Sequence, residues 1–158
     1  MMNAINNKRL MQDIFSGLAE GNIGPLVEAM ADDVQWTRMG AIRWTRTFKG
    51  KESVVGELLG AVKSTLAQPF RAFVRSFIAE GDYVVVESRG QNATLDGRAY
   101  NNRYCWVCRI DAGKLREIRE YVDTELVTVT FHSSSESRSG RNPAPKKGGN
   151  SDDDAQDA

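Results

Sequence analysis

Few stretches of this chain combine residue types that could do chemistry. One is LREIREYVDTELV, Leu115 to Val127. Read as a strand, its alternation places Ile118, Glu120 and Val122 on one face and Glu117, Arg119 and Tyr121 on the other. The first face runs apolar, acidic, apolar. A carboxylate in that setting is costly to bury without a partner. Enclosure by Ile118, Val122 and aromatic neighbours would raise its pKa towards neutrality, where general acid/base catalysis works best. The alternative is a structural role, with an opposite charge neutralising it.

A second candidate is CWVC, Cys105 to Cys108, whose spacing resembles a redox or zinc pair. It lies in YCWVCRI, an apolar and aromatic run that reads as strand. Positions i and i+3 of a strand face opposite sides, so the two sulfurs should not meet. With no further cysteine and His132 as the only histidine, the ligand set of a zinc site is not met. The expectation is two reduced strand cysteines, no metal and no cofactor.

Stepping outward, 158 residues suit one domain. Lysine plus arginine equals aspartate plus glutamate at 21 each, so net charge offers nothing to nucleic acid or an anionic membrane. No run approaches the roughly 20 apolar residues of a membrane span. The N-terminal MMNAINNKRLMQDIF lacks the apolar core of a signal peptide. A cytoplasmic protein is expected.

The elements that would position Glu120 begin with three helices. Leu10, Met11, Ile14, Phe15 and Leu18 form the stripe of the first, which Gly21–Asn22 ends, with Asn22 placed to cap the next. Pro25 opens a short second helix, and DDVQW leaves it as an extended segment. After Gly50, residues Val54, Val55, Leu58, Leu59 and Val62 stripe the third. Strands follow: Phe70 to Ala79, Tyr83 to Ala93, Tyr100 to Ile110, and Leu115 to about Thr130. EGD, LDGR and DAGK supply the turns between them. Helices followed by consecutive hairpins indicate an α+β domain.

From Ser133 the composition loses every aromatic and branched aliphatic residue. Such a segment buries too little apolar area to offset its ordering entropy. The division expected is a domain over 1–131 and a disordered tail over 132–158, with His132 solvated. The tail's basic residues are cancelled by its acidic end.

Helix–GN–helix, then ADDVQW, then the DGRAYNNRY hairpin and DAGKLREIREYVDT, resemble the SnoaL-like and ketosteroid-isomerase-related proteins. The likeness covers about Asn3 to Phe131. It implies the cone-shaped fold of nuclear transport factor 2: a curved antiparallel sheet, a half-open barrel, with three N-terminal helices packed on its concave face. It also implies a pocket inside the cone and a homodimer through the outer sheet face. The fold hosts isomerases, hydrolases, cyclases and proteins without activity, so it does not by itself assign one.

The resemblance assigns the strand faces. Ile118, Glu120 and Val122 should face the pocket, as should Asn102, Tyr104, Trp106, Cys108 and Ile110. Cys105 and Val107 should face outward. On the strand beginning at Tyr83, Glu87 and Arg89 are taken as the inward pair, a parity that a bulge at Gly90 would reverse. The base of ketosteroid isomerases falls on Arg38, which cannot accept a proton at neutral pH, and their proton-donating aspartate falls near Trp106. The water-holding pair of limonene epoxide hydrolase falls on Trp36 and Arg38, its arginine–aspartate pair on Glu87 and Arg89 in swapped order, and its last-strand aspartate on Glu120.

The reading that follows is a small-molecule enzyme doing general acid/base chemistry on an apolar ligand bearing a carbonyl or epoxide. Glu120 would be the acid/base, tuned by Arg38 and Glu87. Tyr104 and Asn102 would orient the ligand, and Trp36, Arg89, Trp106, Ile118 and Val122 would complete its surroundings. The alternative is a non-catalytic ligand-binding or dimeric scaffold protein. In that case Glu120 is one end of an ion pair with Arg38 or Arg89, and the aromatics simply fill the cone.

Overall fold

The computed structural model describes residues 2–41 and 45–139. Helix α1 (Met2–Ala19) buries Met11, Ile14, Phe15 and Leu18, the apolar stripe its sequence carries. It ends in a left-handed turn at Gly21 (φ 79°), where Gly21 N–H reaches Leu18 O and Asn22 N–H reaches Gly17 O. Asn22 Oδ1 then accepts from Gly24 N–H at 2.9 Å, starting α2 (Gly24–Ala29) with Pro25 in its first turn.

The chain next forms β1 (Met30–Arg38) and the short β2 (Thr47–Lys49). Gly50, at φ 86°, turns it into a helix of three parts: α3 (Lys51–Ser53), a π-helical stretch (Val54–Leu59) and α4 (Gly60–Thr65). The widened π turn buries Val54 and Leu58 but leaves Val55 at the surface, so the expected five-residue stripe is split.

Four strands complete the sheet: β3 (Ala72–Glu80), β4 (Tyr83–Gly90), β5 (Arg103–Asp111) and β6 (Lys114–Val122). The order is β2-β1-β6-β5-β4-β3, antiparallel throughout except that β1 runs parallel to β6. The concave face holds the core, built from β1, β4, β5 and β6 against α1, α2 and the π segment. The expected cone, an α+β half-open barrel, is the architecture found.

The end of the last strand and the facing of β4 differ from expectation. The last strand stops at Val122, and α5 (Thr124–Ser139) follows it. Asp123 starts that helix, its Oδ1 accepting from Leu126 N–H at 3.1 Å. Val127, Thr130 and Phe131 then recur at helical spacing, with Val127 and Thr130 buried. The segment reads as strand because Val127, Thr128, Val129 and Thr130 are all β-branched, a local preference that burial of one helical face overrides. The tail expected from residue 132 thus begins as a continuation of α5; the side chain of His132 and residues 140–158 lie outside the described residues.

The second difference is parity on β4. Val86 pairs with Trp106 and Glu87 with Cys105, so Val84, Val86 and Ser88 face inward. Glu87 and Arg89 are exposed on the convex side, where Glu87 accepts from Ser76 Oγ at 2.7 Å. Gly90 is held to glycine by crowding: a Cβ there would meet Asn92 Nδ2 at 2.8 Å and the Tyr104 ring at 3.3 Å.

Candidate active site

Glu120 stands at the middle of the concave face, flanked in register by Arg38 of β1 and Trp106 of β5. It is 6% exposed. Trp36 Nε1–H donates to its Oε2 at 3.0 Å, and Arg38 Nε lies 3.4 Å from its Oε1. That second contact is an ion pair without hydrogen-bond alignment, since Arg38 Nε makes no hydrogen bond. Burial pushes the Glu120 carboxyl above its ordinary pKa; the charge of Arg38 and the Trp36 and Arg38 contacts pull back without cancelling it.

A cavity of about 50 Å³ opens over this carboxylate. Its floor is Glu120, Arg38, Trp36 and Trp106, and its upper walls include Tyr100, Tyr104, Phe70 and Phe131. The indole rings of Trp36 and Trp106 meet edge to face with centroids 4.8 Å apart, and Trp106 in turn packs on Phe15 at 5.1 Å. Higher up, Phe70 leans on Tyr104 and Phe131 on Tyr100, each pair at 5.7 Å. Burial raises the pKa of both Tyr100 and Tyr104, so each stays a neutral donor at physiological pH. Trp106 Nε1 is buried without a hydrogen-bond partner. The site therefore offers one carboxylate that can accept a proton, one cation beside it, and neutral O–H donors a short way above.

Of the residues anticipated for the site, Glu120, Arg38, Trp36, Tyr104 and Trp106 line this cavity. Ile118 is fully buried beneath it, and Val122 packs against the same core. Glu87 and Arg89 do not belong to it, for the register reason given above. Asn102, expected to orient a ligand, is buried and is not among the residues lining this cavity; its side chain holds main-chain groups. Its Oδ1 accepts from Asp123 N–H (3.0 Å) and Arg103 N–H (2.7 Å), and its Nδ2 donates to Asp123 O (3.2 Å). At 3.4 Å the same Nδ2 also approaches the Tyr100 hydroxyl. Asn102 thus clamps the β6–α5 junction and sets Tyr100 behind it. Asn102→Ala is expected to cost about 2 kcal/mol, from the main-chain groups it leaves unpaired, and to lower the melting temperature by roughly 4–8 °C. Thermal unfolding of the two proteins side by side checks this.

Tyr100 and Phe131 are the cavity residues that strand reasoning passed over. Tyr100 sits just before β5 in the hairpin, outside regular alternation, and Phe131 reaches the cavity only because α5 is helical. The i, i+3, i+4 pattern of Val127, Thr130 and Phe131 was the available signal. Cys105 and Cys108 lie on opposite faces, as alternation requires, and both are free. Among the described residues, no group of three His, Cys, Asp or Glu is gathered to hold a metal, and no helix is long and apolar enough to cross a membrane.

A curved sheet with a buried carboxylate facing helices across a narrow cavity defines a cone-fold pocket protein. The profile of the SnoaL-like domain matches residues 11–118, and the chain belongs to that family. Among solved structures it is similar to a nuclear transport factor 2-like protein of unknown function from Burkholderia pseudomallei K96243, at 20% identity and TM-score 0.70 over 80% of this chain and 97% of that one. It is also similar to a protein from Jannaschia sp. CCS1 provisionally assigned as a SnoaL-like polyketide cyclase, at 16% identity and TM-score 0.68 over 82% and 93%. TerC, co-crystallised with polyporic acid, is 25% identical with TM-score 0.65 over 83% of this chain and 98% of its own. Comparison with curated protein sequences finds no match.

Proposed function

We propose that this protein is a general acid/base enzyme that moves a proton on a small, apolar, carbonyl-bearing molecule, with Glu120 as the proton-transferring group. One observation carries the reading. A carboxylate with a raised pKa lies at the floor of an otherwise apolar and aromatic cavity, beside a single cation. A base of this kind takes a proton from carbon next to a carbonyl, while Tyr104 or the unpaired Trp106 N–H supports the oxygen on which charge develops. Arg38 limits how far the Glu120 pKa rises. Proton transfer alone needs no cofactor, so none enters the reading. The relative TerC, co-crystallised with polyporic acid, supports treating the cone as a pocket for a small organic molecule.

The working assembly in this reading is a homodimer. Phe73, Ile78, Tyr83 and Tyr121 are exposed on sheet strands, and a second copy would cover such a surface. Two free cysteines suit a reducing compartment, and we place the protein in the cytoplasm.

The test needs no knowledge of the natural substrate. Wild type and Glu120→Gln are incubated in D₂O with acetone, 2-butanone and cyclopentanone, and deuterium entry next to the carbonyl is followed by NMR. Exchange accelerated by wild type, and reduced by ~10²–10⁴ in Glu120→Gln, is the expected result. A wild type no faster than buffer would sink the proposal. A non-catalytic pocket is the second reading, favoured by the small cavity and the mutual packing of Trp36 and Trp106. Binding without exchange in the same samples is its signature.

A further inference from the structure

A second concavity lies directly outside the first. It occupies about 680 Å³ between α2, the π segment with α4, and the Leu66–Phe70 connection. Ile23, Leu59, Val62 and Phe70 line both spaces, so one layer of side chains separates them. The outer groove is apolar apart from Lys63 and Gln68, and it takes in Ile23 and Val55, each 37% exposed.

Size sets what each space holds. Sites for drug-sized ligands run to roughly 300–1,000 Å³. The outer groove falls in that range, whereas the inner cavity at about 50 Å³ admits only a compact polar head. The dividing layer belongs in part to the π-helical stretch, which supplies Leu59. π-Helical turns are rare and occur often at functional sites. Leu59 and Val62, which belong to both linings, are partly exposed rather than locked in the core.

We propose that the outer groove is a tail subsite: the substrate is a bipartite molecule whose carbonyl head enters the cavity over Glu120 while a linear or branched hydrocarbon tail lies along Val27, Val55 and Leu66. This deepens the acid/base reading and rests on it for the head alone. The tail site is assigned from the wall of side chains that the two spaces share and from the apolar lining. A substrate consisting only of a flat ring would leave the groove empty.

The experiment uses linear methyl ketones from acetone to 2-undecanone, below their solubility limits, with binding read by quenching of tryptophan fluorescence. Wild type is expected to gain affinity by about threefold to fourfold per added methylene until the groove is full. Val55→Glu and Ala67→Glu place a charge on two different walls at exposed positions, where folding tolerates it. Each is expected to flatten that slope, and the second variant guards against misfolding of the first. A flat slope in wild type, or a slope left intact by both variants, overturns the tail site. The two readings fail separately. Absence of exchange at every chain length, with a slope that Val55→Glu abolishes, removes the acid/base role of Glu120 and keeps the groove. Acetone exchange with no chain-length gain removes the groove and keeps Glu120.

Discussion

Glu120→Gln is expected to melt higher than wild type by about 3 °C at pH 8 and to melt at the same temperature near pH 4, while losing turnover by ~10²–10⁴. The sign follows from proton linkage. Burial raises the Glu120 pKa in the folded state above its unfolded value. Between those two values the folded protein holds more protons than the unfolded one, so stability falls as pH rises. The contribution is fully present below the unfolded carboxylate pKa and lost once pH passes the folded one. Glutamine keeps the shape and can still accept from Trp36 Nε1–H through its amide oxygen. It also leaves Arg38 without a counter-charge. That loss is the smaller one, because the Glu120 pKa stays raised even beside the charge of Arg38, so the ionised carboxylate is a net cost to the fold. Gain of stability with loss of activity is the mark of a strained group retained for function. A Gln variant that melts lower at every pH would make Glu120 a structural ion-pair partner instead.

Arg38→Met should do the opposite, and more strongly. It removes the cation and leaves Glu120 alone in an apolar cavity. Losing one member of a buried pair costs ~3–5 kcal/mol, or roughly 6–20 °C in melting temperature for a chain of this size. The loss is expected above neutral pH and should shrink in acid, where Glu120 is protonated. The charge of Arg38 also holds the Glu120 pKa down, so its removal should move the rising limb of the pH–rate profile to higher pH. The double variant Arg38→Met/Glu120→Gln should recover most of the stability. Melting of the four proteins of this cycle at pH 5 and pH 8 measures the coupling. A double variant whose stability change is the simple sum of the two single changes would mean that the two side chains do not interact.

How far the sequence alone leads depends on local contrast. Ile118, Glu120 and Val122 are legible as an inward face because the opposite face, Glu117, Arg119 and Tyr121, differs so sharply. Tyr83, Val84, Val85 and Val86 carry no such contrast. With no contrast to read, only the resemblance points Glu87 and Arg89 inward, and the register with β5 turns them out. The hairpin from Ala93 to Ala99 was readable from its Asp-Gly turn, yet the paired strands stop earlier, at Gly90 and Arg103, leaving Tyr100 free to enter the cavity from a loop. Asp123 caps a helix that β-branched residues hide from a sequence reading. The partnership of Trp36 and Arg38 with Glu120 depends on β1 lying parallel beside β6, which no local pattern announces.

That parallel pairing also sets when the site comes into being. Trp36 and Glu120 are 84 positions apart, and every strand between them is synthesised first. At ~5–20 residues per second, β1 waits roughly 4–17 s on the ribosome for its long partner. Until then it has only the three residues of β2 to pair with. The nascent chain thus carries an unpaired strand edge and a buried-type tryptophan in the open for that interval, a stage at which chaperone capture competes with misassembly. The last strand to leave the ribosome delivers the carboxylate and closes the sheet in one event.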